Sequence, residues 1–465
     1  MLVIISDLHL TDGSSETIHQ GTLRVFRERL RSLAYAASWR SGGIYKPITD
    51  LTVLLLGDIV DVLRSSQWLE SGDGTALRPW SDSRHPDFVQ KIDAITDATV
   101  AKNAVFFAMM RELHGTSIAT VPPAAGGGRP ALNGTDGRGV ERIPVKVHTH
   151  YMTGNHDWYY HLPHSPYHAI RAKLVTAMGL ENDPAQPFPH DLEEPAAAAI
   201  RRVLEEHRVF ARHGDIYDSF NYEGNRDAAS LGDAVVVDLV TRFAIEVKSA
   251  LGDSLPQECL AGLNEIDNVR PLMMVPVWVG GLLRRTCPNP RQHRQIEEVW
   301  NGLVDQFIRI PFVSDHLGAR RPFLNSEKLK LGLRLSKRLL RPEASRLLLF
   351  LQEKITSPAQ SYSPYALEES AFTSRRAHFF VYGHTHRYEM VPLDSGYSPG
   401  GVVNSIYLNS GTWRPVHELT RFRPGREMFV GYNTMTYLAF FKDGERSGRT
   451  FESWSGSLAQ SNPSA

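Results

Sequence analysis

The sequence predicts an α/β fold, and three observations carry that prediction. Short unbroken apolar runs alternate with segments of helical period, several of those runs end in clusters of Asp, Asn and His, and the composition provides ample core. Of 465 residues, 42% are hydrophobic and 22% charged, which excludes a largely disordered chain. At about 150 residues per domain, the length allows two or three domains, or one core with large insertions. The 51 Lys and Arg balance 51 Asp and Glu, so no global basic field exists to coat nucleic acid by charge alone. Two cysteines, Cys259 and Cys287, support neither a disulfide framework nor a Cys-rich zinc site, and they fit a reducing compartment.

The opening run Met1–Ile5 is apolar throughout, as in a strand buried on both faces. It reads as strand and not as signal peptide, so a cytoplasmic location is expected. From about Thr22 to Trp39, Leu23, Phe26, Leu30, Leu33 and Ala37 recur at spacings of three and four, the period of a helix that Gly42-Gly43 then stops. Leu51–Leu56 is a second apolar strand. Residues 62–145 read as an insertion, with a helix over Phe88–Leu113 and a Gly- and Pro-rich loop over Pro122–Gly139. A third strand is expected at Lys146–Met152, a helix at Pro166–Met178 and a strand at Arg208–Arg212.

The first part of the core therefore spans residues 1–227. Residues 228–375 change to helical patterns (Val235–Leu251, Arg291–Ile308 and Ser326–Ile355) and read as an inserted helical domain. The apolar stretch around Leu272–Leu283 is broken by Pro276 and Gly280-Gly281, well short of the roughly 20 residues of a membrane span. Strands return over 376–454, at Ala377–Tyr382, Val402–Leu408, Thr434–Phe441 and Thr450–Trp454, the last two forming a hairpin across Asp443-Gly444. The small polar tail 455–465 is expected to be disordered.

Five of the predicted strands end in polar clusters: Asp7-Leu8-His9, Gly57-Asp58-Ile59-Val60-Asp61, Gly154-Asn155-His156-Asp157, His213-Gly214-Asp215 and Gly383-His384-Thr385-His386. In a sheet rich in parallel pairs, these ends share one edge. Carboxylates, imidazoles and an amide oxygen suit Mn²⁺, Fe²⁺ or Zn²⁺. Taken singly, each cluster has an ordinary alternative: Gly-Asp-x-x-Asp serves turns and caps, and a lone His213 is a partly buried histidine. Five in order, each at a strand end, point instead to a metal centre.

The ordered set resembles the calcineurin-like metallophosphoesterase superfamily, whose pattern is D-x-H, G-D-x-x-D, G-N-H-D/E, H and G-H-x-H. The match runs from Asp7 to His386, and the intervening insertions carry no match. The resemblance implies an α/β/β/α sandwich of two mixed sheets, here with a large helical insertion, holding two divalent cations, with Mn²⁺ the first expectation. By motif, Asp7, His9 and His386 would hold one cation and Asn155, His213 and His384 the other, with Asp58 bridging. His156 would assist at the scissile phosphate and Asp61 would orient it. The implied reaction is hydrolysis of a phosphodiester, pyrophosphate or phosphomonoester of a small molecule or nucleotide. Two cations about 3.5–4 Å apart acidify water and neutralise phosphate oxygens.

Departures narrow the branch. Asp61-Val62-Leu63 lacks the Arg-Gly of Ser/Thr protein phosphatases, and Asp61 stands where purple acid phosphatases place a metal-binding Tyr. His213-Gly214-Asp215 resembles the motif of UDP-diacylglucosamine pyrophosphohydrolases, which usually carry Arg where this chain has His156. The segment 327–354, with Lys328, Lys330, Arg334, Lys337, Arg338, Arg341, Arg346 and Lys354, reads as a basic amphipathic helix. A solvated face on the insertion is its ordinary reading; the alternatives are a metal-dependent nuclease gripping single-stranded nucleic acid through it, or a non-catalytic scaffold that keeps the fold. Asp215 and Asp218 are candidates for supporting a ligand histidine, Arg387 for reaching a phosphate, and Asn409–Trp413 for scaffold beside the site. His161, His164 and His168 are expected to have no metal role.

Overall fold

The computed structural model describes residues 1–15, 18, 20–70, 76–114, 119–132, 140–270, 275–318, 333, 336–337, 361–398, 401–419 and 429–459. The chain starts with β1 (Leu2–Ile5), α1 (Gln20–Ala37) and β2 (Asp50–Leu56). Helices α2 (Pro86–Lys102) and α3 (Ala104–His114) precede β3 (Lys146–Met152). There follow α4 (Pro166–Met178), α5 (Ala198–Glu206) and β4 (Val209–Ala211).

Strands β1, β2 and β3 are parallel neighbours. In β1 the apolar run is unbroken and in β2 only Thr52 interrupts it, because both faces are covered. Val3, Ile5, Val53 and Leu55 pack with Phe26 of α1, Ile92 of α2 and Leu174 of α4. Leu2, Ile4, Leu54 and Leu56 face the other way, into a cluster with Val209, Phe380 and Leu408 of a second sheet. Burying each such side chain contributes roughly 1.5–3 kcal/mol.

The expected single helix over Phe88–Leu113 is two. Asn103 leaves the helical region (φ −108°, ψ 30°), and its amide donates to Thr99 O at 2.9 Å and to Thr11 O at 2.8 Å, tying the break to the loop after β1. The Gly- and Pro-rich stretch after it is not loop throughout, since Ala124–Ala125 pairs with Arg129–Pro130 around a turn at Gly126–Gly128; residues 133–139 lie outside the described set.

The inserted segment continues with α6 (Leu231–Val235), one π-helical turn over Val236–Thr241, α7 (Arg242–Leu251) and α8 (Gln257–Asn264). After β5 (Val269–Arg270) come α9 (Val275–Thr286), α10 (Pro290–Arg309) and α11 (Pro311–Gly318). These helices bury a cluster of their own around Phe243, Cys259, Trp300 and Phe307. The segment is not purely helical, because β5 pairs in parallel with residues 417–418 and joins the edge of the main sheet. The helix expected at Ser326–Ile355, and the basic segment 327–354 with it, lies outside the described residues apart from 333, 336 and 337.

The last strands are β6 (Phe379–Tyr382), β7 (Tyr388–Ser398), β8 (Gly401–Ser410), β9 (Pro415–Leu419), β10 (Phe429–Phe440) and β11 (Phe451–Ala459). The main sheet runs β3-β2-β1-β10-β9-β5, with β11 also on β10; the second runs β7-β8-β6-β4. Both mix parallel and antiparallel pairs. The β10–β11 hairpin encloses Asp443-Gly444 as expected, but β11 pairs with β10 as far as Ala459 opposite Tyr432. Residues 455–459 are therefore strand, not disordered tail, and 460–465 lie outside the described residues. Among the described residues no helix is long and apolar enough to cross a membrane.

At the end of α5, burial reinforced by the N-terminal ammonium pushes the His207 imidazole down to about 4. The unfolded chain then takes up this proton first, so stability falls as pH drops through about 6.5 towards 4. This one group is expected to cost about 2 kcal/mol between pH 7.5 and pH 5. Urea unfolding of His207→Leu at the two pH values should show the fall reduced by that amount.

Candidate metal centre

The carboxyl ends of β1, β2, β3, β4 and β6 bring the five motif segments to one place. Asp7, His9 and His386 offer ligand atoms within 4.8 Å of one another, as do Asp58, His213 and His384. His9, Asp58 and His156 form a third, overlapping group. Asn155 Oδ1 lies 3.0 Å from His384 Nδ1. Asp58 Oδ2 sits between the two main groups, 3.7 Å from His9 Nε2 and 3.3 Å from His213 Nε2. All nine residues singled out in the sequence are in this cluster.

The imidazoles are turned inward by partners behind them. His213 Nδ1 lies 2.9 Å from Leu56 O. That contact fixes the ring with Nε2 buried, without a hydrogen-bond partner and facing Asp58. His9 Nδ1 is 2.8 Å from Asp61 Oδ2, while its Nε2 lies 2.9 Å from His386 Nε2. His386 Nε2 is in turn 3.5 Å from Asp7 Oδ1. Lone pairs and carboxylate oxygens crowded this closely repel unless a proton or a cation lies among them. Carboxylate, imidazole and amide donors without thiolate fit Mn²⁺, Fe²⁺ or Zn²⁺, so the residues present suit a pair of divalent cations.

The backbone is shaped for this approach. Asp7, His9, Asp58, His384 and His386 all have positive φ, between 48° and 67°. That region disfavours side chains and concentrates at functional sites. A Cβ on Gly57, itself at φ +81°, would stand 2.5 Å from His213 Nδ1. One on Gly154 would meet Asp58 Oδ1 and come within 2.7 Å of His213 Nε2. Only glycine lets these strand ends draw together.

Burial and charge divide the titrating groups. Burial, with the Asp58 charge adding to it, pushes the Asp7 carboxyl up to about 6. Burial acts in the same sense on Asp58, but the imidazoles of His213 and His156 outweigh it and hold that carboxyl well below its usual range. Asp61 is likewise held down against burial by His156 and Arg64. Burial opposes protonation of His156, and the carboxylates of Asp61 and Asp58 overcome it, so the imidazole titrates above its usual value. For His213 the same contest, with Asp58 and Asp7 as the carboxylates, ends well above. His9 goes the other way, since burial and the Arg64 guanidinium push its imidazole well below the usual value.

Several supporting residues escaped the sequence reading. Asp157 Oδ2 accepts from Ile59 N at 2.9 Å and from Tyr151 Oη at 2.6 Å, and its Oδ1 accepts from Gly154 N at 2.6 Å. It thereby locks the β2 and β3 loops together. Arg64, buried, lies 3.1 Å from Asp61 and 3.5 Å from Asp267 of the inserted segment. Asn221 Oδ1 accepts from Asn155 Nδ2 at 3.3 Å, which turns Asn155 Oδ1 toward His384. Asp157 stands inside the Gly154-Asn155-His156-Asp157 motif with no role read for it, Arg64 lies three residues from Asp61, and Asn221 acts on Asn155 from 66 positions away. Asp218, a sequence candidate, has Oδ2 at 3.3 Å from His384 Nε2. Asp215 pairs with Arg226, which also donates to Gly154 O at 3.0 Å. Asn409–Trp413 is scaffold: Asn409 donates to Gly383 O at 2.7 Å and Thr412 to Asp7 O at 2.7 Å. Arg387 is exposed.

No family model matches the chain, and no curated protein matches it.

Asp218→Asn is expected to weaken binding of one of two cations by about 10–100-fold, the usual effect of losing an outer carboxylate. Calorimetric titration with Mn²⁺ should show the second step weakened and the first unchanged. Gly154→Ala is expected to remove tight Mn²⁺ binding while the far-ultraviolet circular dichroism stays unaltered.

Proposed function

We propose that this protein is a calcineurin-like metallophosphoesterase, with that family's two-sheet sandwich as its core, which hydrolyses a phosphodiester, pyrophosphate or phosphomonoester. The observation that carries the reading is Asp58 Oδ2 placed between two complete donor groups, with His156 beside them. Divalent cations held by Asp7, His9 and His386, and by Asn155, His213 and His384, would acidify water at neutral pH and offset phosphate charge.

The chain's own residues account for the rest. His156 N donates to Asp58 Oδ1 at 2.8 Å, so the carboxylate and the imidazole loop are set together. His156 Nδ1 lies 3.0 Å from Asp61 Oδ1, which leaves Nε2 to meet a phosphate or leaving-group oxygen. The carboxylates of Asp61 and Asp58 raise its proton affinity against burial, the direction that an acid to the departing oxygen requires. Asp61 orients that ring and Arg64 holds Asp61. Asn155 supplies a neutral oxygen where further negative charge would repel the substrate.

A scaffold without turnover would tolerate loss of ligands, and here the set is complete. The nuclease alternative rests on the basic segment 327–354, of whose basic residues Lys337 alone is described; it pairs with Asp305 of α10.

With Mn²⁺ and bis-p-nitrophenyl phosphate, the wild type is expected to turn over, and EDTA to abolish activity until Mn²⁺ is restored. His156→Ala should lower kcat by about 10²–10⁴ with Mn²⁺ binding retained. Equal rates for wild type and His156→Ala would refute the catalytic reading.

A further inference from the structure

Away from this centre, three chain segments bring a second kind of donor set together. His161 ends the turn of 3-10 helix Trp158–His161, His190 and Glu194 lie in the loop before Pro195, and Asp227 lies before α6. His161, His190 and Glu194 present ligand atoms within 4.8 Å of one another.

Contacts among these residues define the cluster. His161 Nε2 lies 3.2 Å from Glu194 Oε2, while its Nδ1 lies 2.7 Å from Asp227 Oδ1. Glu194 Oε1 accepts from His190 N at 3.2 Å and from Asp191 N at 2.9 Å, which fixes the carboxylate and leaves Oε2 facing His161. His190 Nδ1 lies 2.6 Å from Glu194 Oε1, yet it is cut off from solvent and lacks hydrogen-bond geometry to any partner. The two rings stand edge to face with centroids 4.8 Å apart.

We infer that His161, His190 and Glu194 form a third metal site, for a borderline divalent cation, with Zn²⁺ first. Two imidazoles and one carboxylate are a three-ligand zinc set, and tetrahedral bonds of about 2.0–2.2 Å put ligand atoms about 3.3 Å apart. The His161–Glu194 separation matches that edge. Asp227 behind His161 is the carboxylate–histidine arrangement that fixes the tautomer of a metal-binding ring and raises its basicity. An off-line Nδ1 on His190 is what a ring gives when it is aimed at a point between donors and not at a donor. The site binds the three segments to one another. Asp227 adjoins Arg226, whose guanidinium holds Gly154 O, so a cation there also braces the loop that carries Asn155 and His156.

After EDTA treatment, Zn²⁺ reconstitution and gel filtration of the full chain, metal analysis should find one equivalent more in the wild type than in His161→Ala/His190→Ala. Equal contents in wild type and variant, with matching circular dichroism, would overturn the inference. The readout is a difference between two proteins that share the Asp58 centre, so it holds whether or not that centre loads. Should the double variant fail to fold, Asp227→Asn decides. One Zn²⁺ step weakened about tenfold or more supports the site, and an unchanged titration refutes it.

Discussion

Everything in the molecule depends on holding buried carboxylates and imidazoles against one another at the ends of five strands. Asp7, Asp58 and Asp61 are almost fully buried, and charges withdrawn from water are costly unless compensated. Imidazoles, backbone N–H groups and the guanidinium of Arg64 supply that compensation. Both amide and carboxylate networks reach well beyond the ligands, from Asp157 under the β2 and β3 loops to Asn409 and Thr412 behind β1. The two sheets bury their shared apolar faces, and that packing supplies the stability against which the strand ends are held in left-handed backbone.

Much of this could be read from residue order. Dense apolar runs identify β1 and β2 because both faces are covered, and the polar residues that follow mark where they end. Asp58 and His384 are visible because Gly precedes each, and the glycines are there for steric reasons at the site. What escaped was either weakly patterned or remote. Strand β7 carries Pro392, Asp394 and Gly396, with a register shift between Pro392 and Asp394, so alternation never builds up. Helices α2 and α3 share one apolar period across Asn103, and the break shows in the backbone there and in that side chain's bonds to Thr11 and Thr99.

The inserted segment is the other case. Its helices are legible by period, yet β5 consists of two residues, too few for any pattern, and its place on the sheet is set by pairing with β9. Asp267, just before β5, reaches Arg64 beneath the site. The ion pair joins residues about two hundred positions apart, and nothing local in either stretch announces it.

One carboxylate has a double engagement with a particular consequence. Asp61 spends Oδ2 on His9 and Oδ1 on His156, so a single side chain steers both the ring that would hold a cation and the ring that would face the departing group. The two tasks cannot drift independently. A change at this position moves both rings together, so on the proposed reading the variation that would adjust rate falls to the walls around the fork and not to the fork itself.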